Sequence, residues 1–227
     1  MSLADLPSFE GFERRSSGDH AALFVRRLIF DGELSPGARV PQNEVAKRLG
    51  ISRIPVREAL IALEREGWVT IEMHRGAFVN ALDPQAVRDH YELFGLTYGF
   101  AVERAVLRAG PDFVDQLAEI QRALADATGA DDVWTLTLRF HSLVVEAARS
   151  PRVKVVLRAL PGLIPGNFFE LVPGAISEEK RGFAAILRAI RKSDGERAAG
   201  EYVKLMRRQG DHVVDVLKAR GLFEERE

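Results

Sequence analysis

Two arginines one helical turn apart, Arg53 and Arg57, stand in the run GISRIPVREAL that spans residues 50–60. Ser52 ahead of them offers a hydroxyl that can cap a helix, and Pro55 is tolerated in a first turn. A helix that starts this way presents its N-terminal N–H groups and two guanidinium forks at one end. The N–H groups suit phosphate, and the forks suit guanine edges. Lys47 and Arg48 are close by, and no carboxylate occurs between Val45 and Val56. The local potential is therefore positive, although the whole chain of 227 residues carries a formal net charge of -1. The chemistry this pattern suits is docking on a nucleic acid duplex.

The elements that must position these groups are legible around them. Residues 41–50 read as a short helix closed by Gly50, and the next helix starts at Ser52. Val45, Leu49, Ile51, Val56, Leu60 and Leu63 fall on one inward stripe, and the small Ala46 lets the second helix cross closely. After Gly67 the period changes from helical to alternating: 68–71 and 77–79 read as strands, joined by a turn at Met73-His74-Arg75-Gly76. Upstream, an amphipathic helix over 21–30 stops at the turn residues of 32–37. The expectation is a winged helix-turn-helix.

Three segments carry a resemblance to a known family: Gly32-Glu33-Leu34-Ser35-Pro36-Gly37, Ser52-Arg53-Ile54-Pro55-Val56-Arg57-Glu58-Ala59-Leu60, and Arg75-Gly76-Ala77-Phe78-Val79. In that order they resemble the DNA-binding domain of the GntR family of bacterial transcription regulators. The resemblance implies that the recognition helix enters the major groove by its N-terminal end. Ser52 would then contact phosphate, Arg53 and Arg57 would reach guanine edges or backbone, and His74, Arg75 and Gly76 at the wing tip would enter the minor groove. Asn43 stands where the family has an arginine, and it joins the expected DNA-binding set together with Lys47. Plainer readings stand beside these roles: Arg57 bridged to Glu58 or Glu64, and His74 a solvent-facing turn residue.

Length and composition are compatible with two domains, since a chain with 46% hydrophobic residues can bury a sizeable core and the wing ends near Val79. The expected organisation is a flexible N-terminal arm over 1–19, the winged helix-turn-helix over 20–80 and a helical domain over 84–222. Absence of cysteine rules out disulfides and thiolate metal sites. No apolar run reaches membrane-spanning length, and MSLADLPSFE lacks a signal pattern, so no membrane and a cytoplasmic location are expected. Enzyme chemistry has no support: no nucleophile with its base, phosphate loop or metal motif is visible, and the five histidines are scattered.

Beyond the linker 80–84, where Asp83 can cap a helix that has Pro84 at its first position, the pattern is helical throughout. Helices are expected over 85–109, 112–128 and 132–149, followed by a shorter one ending at 161. An irregular stretch over 161–174 precedes two more, over 177–191 and 196–220. The fold class is mainly α, a winged helix-turn-helix followed by an all-α bundle. This half resembles the FadR-like branch of the family, with an FCD-type domain that binds effectors and dimerises. Tyr91-Glu92-Leu93, Phe140-His141, Ile186, Ala189-Ile190 and Asp194 carry the likeness.

Many members of that branch bind a divalent metal here through an aspartate and three histidines. The resemblance puts Thr137, His141, Phe183 and Leu205 at those positions, and Phe94 and Tyr98 where an arginine and a glutamate would be. One ligand of four survives, so neither metal nor cofactor is expected, although a shifted register would bring His212 beside His141. Phe94, Tyr98, Thr137, His141, Phe183 and Leu205 instead become an effector pocket, mainly apolar and suited to a hydrophobic ligand such as an acyl chain or acyl thioester. The alternative is a bundle filled by its own side chains, in a DNA-binding protein that answers to no ligand. Gly95 and Gly99 allow close approach of another helix, within the chain or across a dimer. The partners expected are double-stranded DNA with a palindromic operator, a small-molecule effector and a second copy of the chain, acting as a repressor.

Overall fold

The computed structural model describes residues 16–160, 163–164 and 168–223. The arm expected over 1–19 lies outside the described residues as far as residue 15. From there the chain is already ordered into α1 (Ser17–Phe30), which starts four residues before the expected Ala21. The reason is a capping box: the Ser16 side chain accepts from the Asp19 N–H, while the Asp19 carboxylate accepts from the Ser16 N–H at 2.8 Å.

Helix α2 (Gln42–Leu49) ends on Gly50, whose φ of 65° places it in the left-handed region. Helix α3 (Arg53–Arg65) follows two residues later, with Ser52 at its N-cap in extended conformation. The Ser52 side chain makes no capping hydrogen bond, contrary to the role its sequence position suggested. Val45, Ala46, Val56, Leu60 and Leu63 are buried, and Leu49 and Ile51 pack against them at the edge. Strands β1 (Val69–Glu72) and β2 (Gly76–Val79) pair antiparallel, Val69 opposite Val79 and Glu72 opposite Gly76. Residues 38–40 run beside β2, with Val40 N–H donating to the Ala77 carbonyl and Val79 N–H to that of Ala38. This ties the chain ahead of α2 to the wing.

Asp83 caps α4 (Pro84–Arg108) by accepting from the Gln85 N–H. The bundle continues with α5 (Phe113–Asp126), α6 (Ala130–Ala147), α7 (Pro151–Arg158), the four-residue α8 (Phe168–Leu171), α9 (Ala175–Ile190) and α10 (Gly195–Ala219). Helices α4 and α10 run antiparallel along their whole length: Arg88 pairs with Asp211, Glu92 with Arg207, and Gly195 lies on Glu103. Gly95 and Gly99 let them meet, since a Cβ on Gly95 would come within 2.8 Å of the Val203 Cα. That close approach is within the chain, not across a dimer.

The bundle docks on the winged helix through the end of α10. The Arg220 guanidinium lies over the Phe30 ring at 3.9 Å from its centroid and donates to the Phe30 carbonyl at 3.2 Å. Leu82 N–H donates to the Leu222 carbonyl beside it. No helix among the described residues is long and apolar enough to cross a membrane.

Candidate nucleic-acid interface and bundle cavity

The start of α3 and the wing form two sides of one groove of about 470 Å³. Arg53 and Arg57 stand on its helical side, His74 and Gly76 on its wing side. Both arginines are exposed, and among the described residues neither is engaged in an ion pair. Glu64, one proposed partner for Arg57, instead accepts from the Ile71 N–H at 2.7 Å. Ser52, Asn43 and Lys47 are exposed nearby, Asn43 in an adjoining depression shared with Arg53. Arg75 is at the wing tip but already held, paired with Glu72 and set over the Phe78 ring. His74 adopts a left-handed φ of 61° at the turn and is exposed.

One residue of this face was not anticipated. Arg39 pairs by a β-bridge with Phe78 and lays its guanidinium against Gly76, where a Cβ would come within 2.8 Å of Nε. It lines both the groove and the depression that holds Asn43. In sequence it is a lone basic residue after a turn; only the pairing of 38–40 with the wing carries it here.

In the bundle, Phe94, Tyr98, Thr137 and His141 line one open cavity of about 240 Å³, with Trp134 and Phe168 also on its wall. Phe183 and Leu205 do not line it, which corrects the expected set. Phe183 is buried, stacked on Phe140 at 3.9 Å between centroids, and Leu205 is buried over Gly182. Their places on the wall are taken by Glu179, one turn earlier on α9, and Gln209, one turn later on α10. A sequence signal for both existed: Glu179 falls on the inward stripe of Phe183, Ile186 and Ile190, and Gln209 on that of Tyr202, Leu205 and Val213. A polar residue on an apolar stripe is a buried polar residue.

The Gln209 amide N–H₂ donates to the Glu179 carboxylate at 3.0 Å and to the Ala175 carbonyl at 3.2 Å. The other Glu179 oxygen, the Gln209 carbonyl oxygen, the Thr137 hydroxyl and His141 Nε2 are buried without a hydrogen-bond partner. Thr137 lies near enough to Glu179 to favour its charged form, without closing a well-formed bond. Burial pushes Glu179 up to about 7 and holds His141 down at about 3, so the imidazole is neutral. Tyr98 stacks on His141 at 4.2 Å. His212 packs against Gly174 and is not on the wall, so the shifted register does not bring it to His141. Among the described residues no three His, Asp or Glu side chains are grouped to hold a metal ion.

These two groups oppose each other in their pH dependence. Glu179, an acid whose folded value is raised, costs the fold stability as pH climbs from about 4.5 to 7. His141, a base whose folded value is depressed, costs it as pH falls from about 6.5 to 3. Between pH 4.5 and 6.5 the slopes offset one another. Glu179→Gln is expected to uncover the His141 slope, so that the melting midpoint falls relative to wild type as pH drops through this window. Parallel midpoint curves for the two proteins would contradict the assignment.

Residues 18–79 match the family described as bacterial regulatory proteins, gntR family, and residues 98–208 match the FCD domain. An HTH-type transcriptional regulator of unassigned role from Agrobacterium vitis is 30% identical over 141 residues, 60% of this chain and 81% of its own. The chain belongs to the GntR family. Another HTH-type transcriptional regulator, from Mycobacterium tuberculosis, is 34% identical over 151 residues, 66% of this chain. The GntR chain spans 62% of the length of that relative. These relatives are named as transcription regulators, not as enzymes. Among solved structures, Escherichia coli McbR/YncC matches 88% of this chain and 97% of its own, with a TM-score of 0.56 and 21% identity, a likeness of fold.

Proposed function

We propose that this GntR-family chain is a sequence-specific DNA-binding transcription repressor that acts in the cytoplasm, binds a palindromic operator as a homodimer and is controlled by a small molecule in the bundle cavity. The observation that carries the reading is the exposed trio Arg39, Arg53 and Arg57 around one groove, in a chain whose net charge is -1. Cations left unpaired on a near-neutral protein, at a helix N-terminus beside a wing, suit a duplex backbone and its major-groove edge. Arg53 and Arg57 read bases, Ser52 and Lys47 contact phosphate, and Arg39 supplies the cation that Asn43 does not. His74, Arg75 and Gly76 approach the minor groove. A fluorescence titration with duplex DNA at several salt concentrations tests it: affinity is expected to fall steeply with salt and to depend on sequence. Arg75→Ala is expected to lose no more than about fivefold, roughly 1 kcal/mol, because Glu72 already holds that guanidinium.

Dimerisation has a surface to use. On α4, Leu93, Leu96, Phe100 and Leu107 lie along one helical stripe and are 50%, 52%, 46% and 76% exposed, apart from the face that Gly95 and Gly99 turn to α10. A second copy covers this stripe and sets the spacing of two wings.

Helix α10 connects cavity to groove. It offers Met206 and Gln209 to the cavity wall and ends at Arg220 on Phe30 of α1, which packs on α3. A ligand that moves α10 therefore moves the recognition helix. Tenfold release of DNA needs a difference of about 1.4 kcal/mol between arrangements. Arg220→Ala is expected to leave the ligand-induced rise in melting midpoint intact while weakening DNA release by up to about 2 kcal/mol of coupling. Unchanged release in that variant would place the coupling elsewhere. The cavity volume, below the ~300–1,000 Å³ usual for drug-sized ligands, suits a compact ligand better than a long acyl chain.

A further inference from the structure

The bundle cavity is apolar on most of its wall, with Phe94, Tyr98, Trp134, Leu138, Phe168 and Met206 among its residues. Its polar side is unusual in what it lacks: among the described residues that line it, none is a lysine or arginine. The cations nearest in sequence are committed elsewhere. On α9, Lys180 Nζ donates to the Ala125 and Ala127 carbonyls at 2.9 and 2.6 Å, and Arg181 pairs with Glu178. On α10, Lys204 pairs with Glu201, Arg207 with Glu92 and Arg208 with Glu178. On α6, Arg139 faces a different depression, shared with Gln116 and Glu119. A carboxylate entering this cavity would lose its water without gaining a counter-charge, beside a buried acid.

What the cavity offers instead are acceptors. Gln209 spends both amide hydrogens, on Ala175 and Glu179, so its unpartnered atom is the carbonyl oxygen. Once Glu179 is ionised its Oε1 is a second acceptor, and the Thr137 hydroxyl, close to that carboxylate, and His141 Nε2 are likewise buried without a well-formed hydrogen bond, on α6, α9 and α10. Buried polar atoms without partners, on four residues that line one cavity, cost the empty protein stability, and a ligand that brings N–H groups can satisfy several of them. An ammonium brings three, and its positive charge is matched by the one carboxylate present. The stacked rings of Tyr98 and His141, with Phe94 beside Tyr98, give the rest of such a ligand an aromatic bed.

We infer that the effector of this protein is a compact apolar amine, its ammonium seated between Glu179, Gln209 and Thr137 and its hydrocarbon or aryl part against Phe94, Tyr98 and Phe168. This rests on the reading of the cavity as an effector site. Binding displaces the proton that burial keeps on Glu179 and replaces a neutral acid by an ion pair inside the bundle. Three of the four atoms acquire partners, one each on α6, α9 and α10.

The test uses the full chain and three probes on one skeleton: 2-phenylethylamine, 2-phenylethanol and 3-phenylpropanoate. Melting midpoints and affinity for an operator duplex are read in the same samples. The amine is expected to raise the midpoint most, the alcohol less and the carboxylate not at all. Glu179→Gln, which keeps size and removes the charge, is expected to weaken the amine at least tenfold and leave the alcohol within twofold; Thr137→Val is expected to weaken both about threefold. An amine effect that survives Glu179→Gln overturns the inference, as does silence of all three probes. Strongest binding by the carboxylate, with release of operator, also overturns it, yet leaves the effector reading of the cavity standing. Operator binding by the ligand-free protein is measured independently of all three probes and separates failure of the ligand class from failure of the regulator reading.

Discussion

Arg53→Ala and Arg57→Ala are each expected to abolish specific operator binding while leaving the melting midpoint near that of wild type. Neither side chain contributes to the core or to an ion pair among the described residues, so truncation removes nothing the fold uses. Each removes a bidentate donor from the end of α3, and one base contact is worth roughly 1–3 kcal/mol. Because a dimer presents each arginine twice, the loss doubles, to about 2–6 kcal/mol, or about 30-fold to more than 10⁴-fold in affinity. The check is a titration against operator and scrambled duplex at fixed salt. Equal affinity of variant and wild type for operator would contradict the role assigned to α3. Residual binding that no longer distinguishes the two duplexes is the signature expected when phosphate contacts outlast base contacts.

The second large effect concerns α4. Leu96→Asp with Phe100→Asp is expected to yield a monomer by sedimentation and to lower operator affinity by at least about a hundredfold, since each winged helix then binds without its tethered twin. The stripe lies on the surface of the single chain, where two carboxylates meet solvent, and the fold is expected to persist. An unaltered dimer would mean that another face pairs the protomers. A monomer with wild-type operator affinity would remove the need for pairing at all.

How far these sites were legible from sequence varied with how local their causes are. The helix-turn-helix is written in adjacent residues, and Gly50, Ser52 and the stripe through Val56, Leu60 and Leu63 placed it to within a residue. Asp83-Pro84 likewise set the start of α4. Ser52 shows the limit of a local rule: the backbone takes the N-cap conformation without using the hydroxyl. Arg39 reaches the groove through a pairing between residues 39 and 78, which no window of sequence contains. The cavity failed more instructively. Phe183 and Leu205 were placed on its wall by resemblance, but the wall is set by which way α9 and α10 turn. That turn buries both residues in the core and brings Glu179 and Gln209 round. Helical periodicity of the buried face, read through those polar residues instead of around them, would have found the pair.

The cavity and the groove are separate sites joined by α10, and the groove is the more fundamental to the proposed function. The most direct measurement of it is selection of bound sequences from a pool of random duplex DNA by the full-length protein, followed by sequencing of what is retained. The expected result is enrichment of a two-fold symmetric sequence with guanines in each half-site, lost when selection is repeated with Arg53→Ala. Retained DNA no different from the starting pool would contradict the account.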